Sequence, residues 1–301
     1  MSDNKERIFL VGGTGNVGRP LVRELLAQGI PVTLYTRTPD RAKALFQDIS
    51  KPLQLLTIIQ GNYQELTTFE QAIQGHQRLF LLVDDLLNMA SIVDSIASKA
   101  FSAGIQQIVH VSSAIAAERW RSTSVAVQHY LAEEAIFQLV RKQHQDKHYV
   151  TLRPQRFMSN LKNDILSIIK QGVIIDTMPK DQKQGWISPN DLARVAAQVL
   201  QDPIQKHGNA VYDTVGDSLT LEERADICSN ILQRPVTYKQ TTPENKYQML
   251  SQHAPHVIAY ELSTFQGFDN EKVSPGLSIL LGREPERLDA WLFANKAQLF
   301  Q

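Results

Sequence analysis

Residues 8–29 constrain what this chain can fold into more than any other stretch. Ile8-Phe9-Leu10-Val11 is a run of four apolar residues after Arg7, the pattern of a short buried strand. Gly12-Gly13-Thr14-Gly15-Asn16-Val17-Gly18 follows, and Val17, Leu21, Val22, Leu25 and Leu26 then recur at helical spacing up to Gly29. A strand running through a tight glycine turn into a helix is the context in which such a pattern binds a dinucleotide. The physics is local. A helix N-terminus presents unpaired N–H groups and the positive end of its dipole, and a diphosphate can use both where no side chain covers the backbone. Two registers fit: Gly13, Gly15 and Gly18 satisfy G-x-G-x-x-G, while Gly12, Gly15 and Gly18 give a looser G-x-x-G-x-x-G. In this reading Gly12 allows the sharp turn, Gly15 lets phosphates approach and Gly18 lets the helix pack on its strand. Thr14, Asn16 and Val17 complete the same cofactor-binding turn. The competing reading is a glycine turn that only closes a strand–helix unit.

Strand and helix patterns alternate through the first half. Further strands are expected at 31–35, 55–60, 79–83, 107–111 and 149–152, with helices over 40–46, 65–73, 89–103 and 125–141. Strands spaced by helices of this length predict parallel βαβ units, hence an α/β fold with a doubly wound parallel sheet of the Rossmann type. Ligands of such sheets sit beyond the carboxyl ends of the strands. After Arg153-Pro154 the regularity fades. A helix is expected over 160–170, then a loop-rich stretch with Gly172, Pro179, Gly185 and Pro189. Asn190 or Asp191 is the expected cap of a helix running to Leu200, and Thr220 with Glu223 forms a capping-box pattern. Further helices are expected near 245–251, 257–263 and 286–299. This gives a nucleotide-binding domain over 1–155 and a smaller, mostly helical substrate lobe over 156–301, with a late strand at 211–214 returning to the main sheet.

Composition narrows the function classes. The 301 residues carry 31 basic and 31 acidic side chains, which argues against a general affinity for nucleic acid or anionic membrane. A single cysteine, Cys228, excludes an intramolecular disulfide and suits a reducing compartment. The first six residues are polar, without the apolar centre of a signal peptide, and no apolar run approaches the ~18 residues of a spanning helix. A soluble, cytoplasmic protein is expected. No metal-ligand spacing of His or Cys, no G-x-S-x-G and no G-K-[ST] phosphate loop is present.

The end of the second strand speaks to the choice of cofactor. An NAD-selective site carries an acid there, about 20 residues beyond the glycine motif, to bind the ribose 2′-hydroxyl. Here the place reads Tyr35-Thr36-Arg37-Thr38, with no carboxylate until Asp40. A guanidinium pairs with a 2′-phosphate through charge-assisted bonds and stacks on adenine. NADP(H) is therefore expected over NAD(H), with Arg37 as the main contact; a solvent-exposed loop arginine is the plainer reading.

Several segments together resemble the NmrA-like branch of atypical short-chain dehydrogenases. They are Val11 to Gly18, Tyr35-Thr36-Arg37-Thr38-Pro39, Gly61-Asn62-Tyr63, Val111-Ser112-Ser113, Leu152-Arg153-Pro154 with Phe157-Met158-Ser159-Asn160, Ile187-Ser188-Pro189-Asn190-Asp191 and Gly282-Arg283-Glu284-Pro285. The resemblance implies a Rossmann lobe, a small C-terminal lobe and an active cleft between them. It implies either an NAD(P)H-dependent reductase of quinone, azo, imine or other aromatic acceptors, or an NADP-sensing regulator without turnover that binds a protein partner. It also implies cofactor roles for Asn62 at the adenine, where the family often has an aspartate, for Val83 and Asp84 at the ribose, and for Gln155 to Phe157 at the nicotinamide.

Short-chain dehydrogenases commonly use a Tyr-x-x-x-Lys pair, in which lysine lowers the tyrosine pKa. The corresponding helix here reads Gln128-His129-Tyr130-Leu131-Ala132-Glu133-Glu134, so an acid stands four residues after Tyr130 and disfavours the phenolate. Alcohol–ketone chemistry by the tyrosine–lysine route is not expected. His129 and Glu133 share one helical face at i and i+4, a spacing that several relatives carry. A histidine held by that carboxylate is a candidate proton donor or substrate anchor; a structural ion pair fits equally. Tyr130 is the third candidate, as a substrate-lining or packing residue. Ser112, at the end of the fifth strand, suits a cofactor or substrate hydroxyl contact as well as a strand-to-loop turn.

Overall fold

The computed structural model describes residues 6–49, 55–142 and 146–300. Among them the chain forms twelve strands. The first six are β1 (Ile8–Val11), β2 (Val32–Thr36), β3 (Leu56–Gln60), β4 (Arg78–Leu81), β5 (Gln107–Val111) and β6 (His148–Pro154). The others are β7 (Arg156–Phe157), β8 (Val173–Asp176), β9 (Lys183–Ile187), β10 (Val211–Thr214), β11 (Asp217–Thr220) and β12 (Thr237–Gln240). The helices are α1 (Gly18–Ala27), α2 (Pro39–Phe46), α3 (Thr67–Ala72), α4 (Met89–Ser102), α5 (Ser124–Lys142), α6 (Ile165–Gln171) and α7 (Pro189–Val199). They continue as α8 (Ile204–His207), α9 (Leu221–Leu232), α10 (Pro243–Leu250), α11 (His256–Thr264), α12 (Leu277–Leu281) and α13 (Leu288–Leu299).

Seven strands make one sheet in the order β10-β6-β5-β4-β1-β2-β3. Every neighbouring pair from β6 to β3 is parallel. The expected doubly wound sheet is therefore present, and the late strand returns to its edge beside β6. The cause lies in the residues: β1, β2 and β5 are buried along their whole length, as strands covered on both faces by helices must be. Helix α1 places Leu21, Val22, Leu25 and Leu26 in the core. Phe9 anchors one side of the sheet, fully buried, with Phe69 edge-on to its ring at 5.4 Å. Burying a side chain of that size contributes about 2–3 kcal/mol. Because β1 lies between β4 and β2, the strand order reverses at its carboxyl end, where ligands of such sheets bind.

The chain divides into two compact units. The first gathers residues up to Ala116, Gln128–Arg153 and Leu192–Tyr212; the second takes Ala117–Val127, Pro154–Asp191 and Asp213–Gln301. The second unit has its own core, including Met158, Leu161, Trp186, Leu288 and Trp291. Besides helices it holds a three-stranded sheet, β11-β9-β7, and a parallel pair, β12-β8, which the sequence reading lacks. The helix expected over 160–170 is two pieces, a 3-10 helix at Met158–Asn163 and then α6, joined at Asp164.

Helix caps separate the readings further. The capping box at Thr220 and Glu223 is formed in both directions. The start of α7 is organised differently from expectation. The Ser188 hydroxyl accepts the Asn190 N–H, while Asp191 is fully buried and accepts from the Arg283 guanidinium and the Glu286 N–H. A buried carboxylate needs a cation and donors more than a helix end needs a second cap. The two motifs around Asp191 and Arg283 thus hold each other. No helix of the described residues is long and apolar enough to cross a membrane.

Candidate functional site

The glycine turn joins β1 to α1 at the reversal of strand order. Gly12 has φ +90, a conformation side chains avoid, and a Cβ there would stand 2.5 Å from the Leu82 carbonyl oxygen. A Cβ on Gly18 would stand 2.2 Å from the Gly12 oxygen and 2.4 Å from Gly13 Cα. The helix start is therefore pressed onto the turn itself, a closer approach than the strand contact expected. Gly15 is different in kind. A Cβ there would meet a single atom of the described residues within 4 Å, the Gly12 oxygen at 3.5 Å, which is ordinary contact. Its outer side is open. Val17 is buried in N-cap position with helical backbone angles, offers no side-chain cap, and α1 has no acidic residue in its first turn. The positive end of the dipole is thus not neutralised by the turn's own side chains. Thr14 is half-buried, and the exposed Asn16 accepts from Arg19 Nη2 through its side-chain oxygen at 3.4 Å.

Arg37 follows β2, and its guanidinium is already engaged. Nη2 donates to Asp84 Oδ2 at 3.1 Å, and the guanidinium carbon stands 5.9 Å from the centre of the Tyr63 ring. Burial, with the Asp84 charge adding to it, pushes the Tyr63 phenol up to about 12, so this ring is neutral at any physiological pH. Nothing local in the sequence assigns Tyr63 a role; its place beside Arg37 depends on the loop from β3 to α3. Val83 is buried just before Asp84. Asp85 accepts from the N–H groups of Leu87 and Asn88 and from the Asn88 side chain, which hold its carboxyl below the usual range. Asn62 uses its side-chain oxygen locally, accepting the Gln64 and Glu65 N–H groups at 2.8 and 2.9 Å. Its backbone oxygen accepts the Tyr35 hydroxyl.

Beyond β5 the structure brings Ser112 and His129 together, with Ser112 Oγ 3.5 Å from His129 Nδ1. Both residues are buried. Burial lowers the His129 pKa to about 4, so the ring is neutral at physiological pH. Its neighbour His110, whose Nδ1 lies 3.0 Å from the Tyr149 hydroxyl, is lowered to about 3 by burial and by His129. The expected His129–Glu133 pairing is not what the chain adopts. Glu133 is taken by Arg153 of β6 in a two-pronged ion pair, Nε to Oε1 at 3.0 Å and Nη2 to Oε2 at 2.5 Å. A guanidinium offers a carboxylate two parallel bonds and a full charge, whereas an imidazole kept neutral by burial offers one. Tyr130 points outward, 44% exposed. Glu134, at the position a catalytic lysine would need, accepts from Gln138.

Gln155 and Phe157 belong to the second unit. Phe157 pairs with Ile187 across β7 and β9 and is half-buried. Gln155 Nε2 donates to the Asn270 carbonyl, while its buried Oε1 has no hydrogen-bond partner among the described residues. Between them Arg156 binds Glu271 with Nη1 at 3.0 and 2.8 Å, and its guanidinium carbon lies 5.6 and 5.1 Å from the Phe265 and Phe268 rings. Cys228 is buried and its thiol is pushed up to about 11 by burial, the opposite of an activated nucleophile. Taken by itself, the first unit brings a helix start without a side-chain cap at α1, a guanidinium paired with Asp84 at the end of β2, and a neutral hydroxyl–imidazole pair beyond β5.

Comparison with known proteins gives this geometry a lineage. An NAD(P)H azoreductase from Xenophilus azovorans is 27% identical over 250 residues, 81% of this chain and 80% of that protein. An NADPH-dependent quinone oxidoreductase from Escherichia coli, solved with NADPH, superposes with a TM-score of 0.77 at 24% identity, covering 98% of this chain and all of that one. A negative transcriptional regulator, NmrA, solved with NADP, superposes with a TM-score of 0.75 at 17% identity over 97% and 95% of the two chains. The model of the NmrA-like family matches residues 4–292, and the chain belongs to that family.

Proposed function

We propose that this chain is an NADP(H)-dependent reductase of a small quinone-like, azo, imine or other aromatic acceptor. The observation that carries the reading is the turn at Gly12–Gly18: its helix start has no side-chain cap, and the space outside Gly15 is open. The residues fit a dinucleotide diphosphate, because Gly12 and Gly18 are fixed by the fold's own contacts while the open space at Gly15 is not filled by the chain. In this reading Gly12 to Gly18 hold the diphosphate, Arg37 the 2′-phosphate, and Asn62, Val83 and Asp84 lie along the adenosine half. Ser112 and His129 sit toward the reacting end, and the nicotinamide role of Gln155 and Phe157 rests on the family resemblance alone. A functional division near residue 155 into a nucleotide part and an acceptor part, with Leu192–Tyr212 counted in the first unit and Ala117–Val127 in the second, is part of the same proposal, as is residence in the reducing cytoplasm.

The bound nicotinamide supplies hydride. The chain supplies orientation, which in such reactions is most of the protein's contribution. His129 is neutral at physiological pH and has no second proton to release. With Ser112 it orients an acceptor oxygen or nitrogen by hydrogen bonding, and water delivers the proton that completes the reduction. Tyr130 and Glu133 take no part in proton transfer in this scheme, since one faces solvent and the other is held by Arg153.

Calorimetric titration with NADPH and NADH, followed by NADPH consumption with a panel of quinones, azo dyes and imines, tests the proposal. NADPH is expected to bind more tightly than NADH and to be consumed with at least one acceptor class. Failure to bind either nucleotide refutes it. Tight binding without consumption on any acceptor favours the other reading, a nucleotide-sensing regulator, because every feature of the turn serves binding alone.

A further inference from the structure

We infer that Asp84 tunes the chain's choice between NADPH and NADH by competing with the 2′-phosphate for Arg37. The inference rests on the reading of the glycine turn as a nucleotide site and assigns that site a specificity residue which the end of β2 alone does not reveal. In the sheet order β4-β1-β2, Asp84 lies just beyond β4 and Arg37 just beyond β2, so their side chains meet across the carboxyl end of β1. Nη2 of Arg37 donates to Asp84 Oδ2 at 3.1 Å. Each side chain is 62% exposed, so a ligand can reach both. Tyr63 lies against the guanidinium, and the neighbouring Asp85 is committed to Leu87 and Asn88. Asp84 is thus the carboxylate paired with Arg37 in the ligand-free chain.

A 2′-phosphate seeks the same guanidinium. It must displace Asp84 or share the cation with it, and sharing sets two anions side by side. The uncharged 2′-hydroxyl of NADH meets no such competition. Asp84 therefore weakens NADPH selectively. An exposed ion pair of this kind is worth about 0.2–1 kcal/mol, so its removal is expected to tighten NADPH about 1.4- to five-fold relative to NADH. This differs from the role that resemblance implies, a ribose contact, whose loss would weaken both nucleotides.

The test is calorimetric titration of NADPH and NADH into the full chain, its Asp84→Asn and Asp84→Ala variants, and Asp48→Asn. Asp48 pairs with Arg23 instead, and its variant controls for the loss of one negative charge. The ratio of NADH to NADPH dissociation constants is expected to rise about 1.4- to five-fold in both Asp84 variants and to stay constant in Asp48→Asn. Adding Arg37→Ala is expected to abolish the Asp84 effect. An unchanged ratio, a proportional change for both nucleotides, or a weakened NADPH overturns the inference while leaving the nucleotide site standing. Absence of binding by the unmodified chain overturns the site and the inference together.

Discussion

Replacing Gly12, Gly15 and Gly18 of the turn one at a time separates what the fold requires from what a ligand requires. In Gly18→Ala the new methyl stands 2.2 Å from a backbone oxygen and 2.4 Å from a backbone carbon, neither of which can rotate away. Overpacking of that kind costs about 1–3 kcal/mol. Gly12→Ala adds a left-handed backbone penalty of about 1–2 kcal/mol to a contact of 2.5 Å. Gly15→Ala has neither problem, since among the described residues the new methyl meets one atom, at 3.5 Å, and its backbone lies outside the left-handed region. Alanine there also narrows the unfolded ensemble, which stabilises by about 0.4–1 kcal/mol where the backbone is compatible. Thermal unfolding should therefore place Gly15→Ala at or slightly above the unmodified chain, and the other two variants several degrees below. Calorimetry with NADPH should show the reverse for Gly15→Ala, with affinity lost at least ten-fold in a protein of unchanged stability. Undiminished NADPH affinity in Gly15→Ala would refute the argument that the open space at this glycine is where the diphosphate lies.

Other consequences follow from the same contacts. His129 and His110 are buried neutral, with folded pKa values of about 4 and about 3 against roughly 6.5 unfolded, so the unfolded chain binds more protons below about pH 6.5. Stability is therefore full near pH 7 and falls with acidification. For His129 alone the loss is roughly 2 kcal/mol by pH 5, measurable by urea unfolding, and His129→Gln should remove that part of the slope; a flat profile contradicts it. Glu133→Gln leaves the Arg153 guanidinium largely buried without its carboxylate and should lower stability by roughly 3 kcal/mol in the same assay, with little change in NADPH affinity. Asp191→Asn should lower stability by about 1–3 kcal/mol, because its fully buried side chain loses an acceptor for the Arg283 guanidinium or the Glu286 N–H, while the half-exposed Arg283 can return to water. A thermal midpoint within a degree of the unmodified chain would count against either ion-pair argument.

The parts of the fold legible in the sequence are those with dense local signal. Ile8–Val11, Val32–Thr36 and Gln107–Val111 are strands buried along their length, and the glycine turn is a contiguous seven-residue pattern. Four of the five strands of the second unit are short and partly polar, Arg-Phe, Lys-Gln-Gly-Trp-Ile, Asp-Ser-Leu-Thr and Thr-Tyr-Lys-Gln, and the fifth, Val-Ile-Ile-Asp, is a four-residue run inside a stretch that reads as loop-rich. Their pairing partners lie tens of residues away, and alternation over four residues carries little information. The candidate site divides the same way. The spacing of His129 and Glu133 shows that they share a helical face, but Glu133's partner is Arg153 on a strand twenty residues later. Arg37 was identifiable from its place after β2, whereas Asp84, 47 residues on, is placed against it only by the strand order. Asp191 looked like a helix cap because nothing local announces an arginine 92 residues away.

The central claim is that the start of α1 receives a dinucleotide diphosphate. Backbone amide NMR of the isotopically labelled protein, recorded during titration with NADPH, tests it at the atoms concerned. The account predicts that the N–H signals of Gly15 to Gly18 move first and furthest as charge-assisted hydrogen bonds form, and that Gly15→Ala abolishes the movement. Saturable binding that leaves these four signals where they were, with shifts elsewhere in the chain, would contradict it.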